Sequence, residues 1–316
     1  MAHELEMIGN EASMAYAGEV PWHGLGVKVS NDLTPAQMLT AANLDWTVDP
    51  VKLYAGDTQL DTGHSALVRS SDSKVIDVVP NDWNPCQNHE AFEFFNDFVA
   101  AGEMEMHTAG SLKGGEIVWA LAKVKDSFEL FNGRDQVDAF LHFTNPHRYG
   151  QSIDVRMTSI RCVCWNTVTA SLNSKSKNFV KVSHRKLFDP DMVKETMGVA
   201  HEKLQQYKEA AEYLSKAQFK NEDVVEYFKR IFPVMTTKEH SEKELSKSAA
   251  LALDIMHTQP GAELGEGTFW QLFNTTTYMV DHVIGRSVDS RLSSAWYGAG
   301  SNLKVKAMET ALQMAS

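Results

Sequence analysis

The apolar residues change their periodicity once along the chain, at Asp189-Pro190, and no other feature constrains the fold as strongly. Before that point short segments of period two dominate. Trp46 to Ala55, Ala66 to Val79 around a Ser-Ser-Asp-Ser turn, Glu116 to Lys125, Val137 to Thr144 and Ile153 to Ile160 read as strands, several of them hairpin partners. Two helices interrupt them. Thr34-Pro35-Ala36-Gln37 is a capping box with proline in the first turn, and Asn88 is expected to cap a helix from His89 to Ala101 that stops at Gly102.

After Asp189-Pro190 the period becomes helical and stays so. Val193, Met197, Ala200, Leu204, Tyr207, Ala211 and Leu214 alternate spacings of four and three, which sets them on one stripe of a long helix. Such a stripe packs on a neighbouring helix of the same subunit or on another copy. Further helices are expected at about 222 to 232, from Thr236 to about His257, from Thr268 to Ile284, and from Asn302 to Met314. The reading is an α+β protein. A β-rich part with a curved antiparallel sheet and two helices spans residues 1–188, and a helical region spans 189–316, either as a second domain or on the same core.

The 316 residues, 43% of them hydrophobic and 22% charged, suffice for one large or two medium cores. No apolar run reaches the length that crosses a bilayer, and Met1-Ala2-His3-Glu4 opens without the pattern of a secretion signal, so a cytoplasmic protein is expected, away from membranes. Three cysteines (Cys86, Cys162 and Cys164) fit reduced thiols better than a disulfide framework.

The net charge of −11 is unevenly spread. Residues 1–141 hold 8 Lys/Arg against 22 Asp/Glu, residues 142–188 hold 8 against 1, and residues 189–316 hold 14 against 18. A basic segment thus separates two acidic ones. It either neutralises the acidic half internally or meets an acidic ligand.

Signatures of chemistry are sparse. Cys162-x-Cys164 lies near His142, His147 and His184 in sequence, but the spacing does not suit structural zinc and no second cysteine pair exists, so no metal is expected. Nucleophile elbows, phosphate-cradling glycine loops and dinucleotide fingerprints are missing, Gly24-Leu25-Gly26 and Gly114-Gly115 read as turns, and Asp281-His282 does not make a dyad. The expectation is a non-enzyme without a cofactor. The basic segment is more informative because its cations alternate with rings. In Asn178 to Arg185 one strand face holds Val180 and Val182, and the other shows Phe179, Lys181, Ser183 and Arg185. That second face offers cations for phosphates and a ring for stacking a base.

Several motifs carry a family resemblance. Pro21-Trp22-His23-Gly24-Leu25-Gly26, the run from Phe143-Thr144-Asn145 through Ile153 into Arg161-Cys162-Val163-Cys164-Trp165-Asn166-Thr167, Phe269-Trp270-Gln271-Leu272-Phe273-Asn274 with Tyr278 and His282, and Trp296-Tyr297-Gly298 before Lys304-x-Lys306-Ala307 resemble the phage/plasmid-like protein family. The family is a domain of unknown function of phages, plasmids and integrative elements. The resemblance implies a habitat near replication and recombination genes and carries no site residues over; Trp165 stands where a small residue is expected.

These readings converge on a homo-oligomeric single-stranded DNA-binding protein, extending to strand annealing, that serves phage or plasmid replication and recombination. Arg148, Arg156, Lys175, Lys177, Lys181 and Arg185 are the expected phosphate contacts, with Tyr149 and Phe179 as stacking rings. Two rivals stand beside it. One is an acidic interaction or host-takeover module that binds a phage or host protein and no nucleic acid. The other is an enzyme whose unrecognised site is built on His23, His142 and Asn166.

Overall fold

In the computed structural model, residues 5–18, 24–125, 127–161, 166–169, 179–234, 245–285, 291, 294–295 and 298–316 are described. In chain order the elements are β1 (Met7–Ile8), β2 (Glu11–Ala12), β3 (Met14–Ala17), β4 (Val27–Val29), α1 (Pro35–Ala41), β5 (Val48–Ala55), β6 (Leu60–Arg69), β7 (Val75–Pro80), α2 (Asn88–Glu93), α3 (Asn96–Ala100), β8 (Met104–Leu112), β9 (Ile117–Val124), β10 (Phe128–Leu130), β11 (Asp135–Pro146), β12 (Ile153–Arg161), β13 (Asn166–Thr169) and β14 (Phe179–Val182). The helices α4 (Pro190–Lys216), α5 (Asn221–Ile231), α6 (Lys247–Ile255), α7 (Phe269–Tyr278) and α8 (Ala299–Ala315) follow. The fold is α+β, with a β-rich N-terminal half of antiparallel sheets and a helical C-terminal half.

Two compact units interleave along the chain. One comprises Met1–Lys125, Phe140–Arg156 and Phe179–Val199, the other Asp126–Ala139, Met157–Asn178 and Ala200–Ser316. The helical unit recruits strand residues because its apolar core needs them. Phe128, Leu130 and Val137 are buried with Tyr207, Leu214, Tyr227, Phe228, Trp270 and Phe273 in one cluster. The stripe on α4 is therefore spent inside the subunit at Tyr207, Ala211 and Leu214, while the Met197, Ala200 and Leu204 side chains lie outside the described residues.

In the first unit, β11 lies beside β9, β9 beside β8, β8 beside β3 and β3 beside β4, all antiparallel except the parallel β3–β4 pair. β9 is buried along nearly its whole length, as a central strand covered on both faces must be. β5, β6 and β7 form a separate three-stranded sheet, with the turn at residues 70 to 74 where the sequence places it. β8 has no clear signal in the sequence. His107 sits at a bulge between Met106 and Thr108, and Gly110 is required because a Cβ there would come within 2.9 Å of the Ser13 carbonyl oxygen.

Local start signals act largely as read. Thr34 Oγ1 accepts from the Gln37 N–H while Gln37 Oε1 accepts from the Thr34 N–H. Asp189 Oδ1 accepts from the N–H groups of Asp191 and Met192 at the start of α4. Asn88 is displaced by one position. The cap of α2 is Gln87, in a reciprocal pair with Glu90, and the expected single helix is broken into α2 and α3. Among the described residues no helix is long and apolar enough to cross a membrane.

Among the described residues of the helical unit, Lys304 and Asp281 form a buried ion pair. Lys304 Nζ lies 2.8 Å from Asp281 Oδ1, and both side chains are nearly inaccessible (1% and 6% exposed). Just beyond, the Arg291 guanidinium donates to the carbonyls of His282, Val283 and Ile284, where a π turn ends the helix begun by α7. Removing one partner of a buried pair strands the other charge. Lys304→Met is expected to lower unfolding free energy by about 3 to 5 kcal/mol, and Lys304→Met combined with Asp281→Leu to recover most of that loss. Denaturant titration of the three proteins measures it; equal stability of the single and double variants would contradict this account.

Candidate functional site

The basic residues of the first unit converge through strand register. β12 pairs antiparallel with β14, matching Ile153 with Val182, Asp154 with Lys181 and Arg156 with Phe179. The pairing closes at Ile153 and Val182, so the turn at residues 148–152 that leads into β12 and the turn at 183–186 that leaves β14 share one end of the ladder. Val182 is buried and Val180 half-buried, whereas Lys181 and Ser183 face solvent, as period two requires. β14 pairs with no strand but β12 among the described residues, which leaves Lys181 on an edge.

Four of the eight expected contacts stand exposed on this surface. Tyr149 is 52% exposed, and its backbone N–H, held at 2.7 Å by Asp77 Oδ2, fixes the turn. The Arg148 side chain, itself partly exposed, donates to Glu116 Oε2 at 2.9 Å. The Arg185 side chain is 68% exposed, and its Nε lies 3.8 Å from Asp82 Oδ2. Lys181 completes the set.

Arg156 behaves differently from the expectation. Its guanidinium is buried and clamped by Asp154, with Nε 2.5 Å from Oδ1 and Nη2 2.6 Å from Oδ2, so it cannot meet a phosphate at the surface. The reason is local: Asp154 and Arg156 are two residues apart on one strand and point to the same inward face. Lys175 and Lys177 lie outside the described residues, as do the Phe179 side chain, Cys162, Cys164, Trp165 and His23; Asn166 and Thr167 are described only as backbone of β13.

Behind this surface lies a buried polar network that the sequence did not signal. Asn88 Nδ2 donates to the carbonyls of Leu44 (3.0 Å) and Trp46 (3.3 Å), while Asn88 Oδ1 faces His147 Nε2 at 2.9 Å and Asn145 Nδ2 at 3.4 Å. Asn145 Nδ2 also donates to the Cys86 carbonyl at 2.8 Å. His184 stacks on Trp83 with ring centroids 4.1 Å apart, its Nδ1 lies 3.1 Å from the Asn84 carbonyl, and its backbone carbonyl accepts from the Asn84 N–H at 2.7 Å. Asn145 Oδ1, His147 Nδ1 and His184 Nε2 are buried without a hydrogen-bond partner.

A cavity of about 540 Å³ opens beside His184. Helices α2 and α3 supply Glu90, Glu93 and Asp97, the link between them supplies Phe94, the loop before them supplies Asn84 and Cys86, and the segment after β14 supplies Lys186 and Phe188. Phe94, Phe143 and Phe188 pack with centroids 5.4 to 6.3 Å apart, which keeps the aromatic wall in place. Burial pushes the Cys86 thiol well up, and the Glu90 charge adds to the shift, so Cys86 is a small apolar lining group and not a thiolate. His142, part of the rival enzyme site, is buried and held well below its ordinary value, first by desolvation and then by the Arg156 charge. Among the described residues no cluster of three or more His, Cys, Asp or Glu could hold a metal ion.

Burial likewise lowers His147 to about 3, with the charge of His184 adding to the shift, and lowers His184 to about 4 against an opposing hydrogen bond to the Asn84 carbonyl. Both folded values lie below the ordinary 6.5. The folded state therefore binds fewer protons than the unfolded chain below that pH, and stability present at neutral pH is lost on acidification. Each group contributes a slope of about 1.4 kcal/mol per pH unit once the pH is below 6.5 and above its folded value. Unfolding free energies measured between pH 7 and 5 are expected to fall, with a shallower slope in His147→Asn and in His184→Asn; a slope unchanged by either substitution would refute the assignment.

Residues 75–296 match a domain of unknown function, DUF932. No curated protein and no solved structure matches the chain.

Proposed function

The chain belongs to the DUF932 family, whose function is unknown, and from its surface we propose that it binds single-stranded DNA, in the cytoplasm and as a homo-oligomer, during replication or recombination of a phage or plasmid. The observation that carries the reading is the register of β12 with β14, which gathers Arg148, Tyr149, Lys181 and Arg185 at one end and edge of a sheet. Cations beside an exposed ring are what a flexible strand needs: charge for its phosphates and a flat face for a base. The phage/plasmid-like motifs and an oligomer capable of strand annealing suit that role. Arg148 and Arg185 already have carboxylate neighbours, but ion pairs this exposed contribute about 0 to 1 kcal/mol each, so phosphates can displace Glu116 and Asp82.

The same ion pairs favour a second reading, in which the basic segment neutralises the acidic half and the protein meets a phage or host partner without nucleic acid. Fluorescence anisotropy separates the two. A labelled single strand is expected to bind with a steep salt dependence, and replacing Arg148, Lys181 and Arg185 together by glutamate to weaken binding and reduce the salt slope by about one per lost phosphate contact. Tyr149→Ala is expected to cost about 1 to 3 kcal/mol of affinity through lost stacking. Absence of binding at low salt would transfer support to the partner reading, and affinity indifferent to these substitutions would overturn the assignment of these four residues.

A further inference from the structure

We propose that the cavity beside His184 is a pocket for a nucleobase that carries an exocyclic amino group, entered by a free nucleotide or by one base of a bound strand; the second source rests on the DNA-binding reading above. Its volume of about 540 Å³ falls within the range of small-ligand sites, about 300 to 1,000 Å³. The pocket continues from the turn that presents Arg185, since His184, Lys186 and Phe188 all line it.

The lining selects by hydrogen-bond polarity. Phe188, half-buried and fixed edge-on to Phe94 and Phe143, offers a ring against which a base can pack. Glu90 Oε2 is engaged by the Gln87 N–H and Asp97 is bonded to Lys194, but the Glu93 carboxylate is exposed at the wall and has no partner among the described residues. That carboxylate, an acceptor at the wall, pairs with the amino group of cytosine or adenine and repels the carbonyl that thymine presents at the same place. Lys186, exposed and also without a partner among the described residues, stands at the rim for the phosphate.

Cytosine and thymine have the same ring size, so a comparison between them isolates the amino group. The experiment titrates full-length protein with dCMP and dTMP, followed by nuclear magnetic resonance, and separately with oligo(dC) and oligo(dT) by anisotropy. dCMP is expected to bind about five- to a hundredfold more tightly than dTMP, Glu93→Gln to erase that ratio, and Phe188→Ala to weaken both nucleotides. The same order in the oligonucleotides supports entry from a strand. The mononucleotide preference without strand binding supports the pocket and removes the DNA reading. Strand binding with no base preference, and no mononucleotide binding, overturns the pocket and leaves the DNA reading standing. Failure of every titration overturns both.

Discussion

A single buried amide, Asn88, holds together the segments on which the candidate site is mounted. It is the first residue of α2, yet its side chain turns away from the helix and ties the Leu44 and Trp46 carbonyls on one side to Asn145 and His147 on the other. One residue thus satisfies the Leu44 and Trp46 carbonyls and His147 Nε2, and shares Asn145 Nδ2 with the Cys86 carbonyl. The network also sets a proton. His147 Nε2 must donate to Asn88 Oδ1, since the Asn88 nitrogen is already committed to two carbonyls, and the ring is thereby fixed as one neutral tautomer. The turn at Tyr149 begins two residues beyond His147, and Phe94 of the pocket's aromatic wall directly follows the helix that Asn88 starts.

Charge is sorted in the sequence and mixed in the fold. The basic segment pairs Arg148 with Glu116 and Arg185 with Asp82, so carboxylates from the acidic half stand next to cations from the basic one. Depth distinguishes the pairs. Arg156 and Asp154 are buried against each other, and Glu6 is buried against Arg69, which also holds the more exposed Asp72; removing either arginine would leave a carboxylate in an apolar medium. The pairs at Arg148 and Arg185 are wet and weak, so they can exchange one anion for another. The same count of opposite charges thus gives rigid joints in the interior and an exchangeable surface outside.

Much of the fold was legible because alternation and capping are local. β5, β6, β7, β9, β11 and β12 fall where period two puts them, and Thr34 and Asp189 cap the helices they precede. β8 was missed because His107, Gly110 and Ser111 have no strand preference of their own; the neighbours on both sides impose the conformation. The surface was legible in part. Alternation in β14 turned Lys181 outward as expected, but the same rule applied to β12 turns Arg156 inward, because a strand pattern says which residues share a face and not which face is dry. The pocket left no trace in the sequence. Glu93 lies about ninety residues before His184 and Phe188, and only the folded course of the 183–188 segment brings them to one wall.

The interleaving of the two units has a bearing on how the chain is made. The first unit includes residues as late as Val199, while the second begins at Asp126. During synthesis the N-terminal sheet emerges from the ribosome before β12, β14 and the start of α4 that complete it, so the first 125 residues wait with apolar edges uncovered until some seventy more have been translated. No single cleavage point yields two self-sufficient pieces. A break in the chain anywhere between residues 126 and 199 therefore separates segments that belong to the same unit.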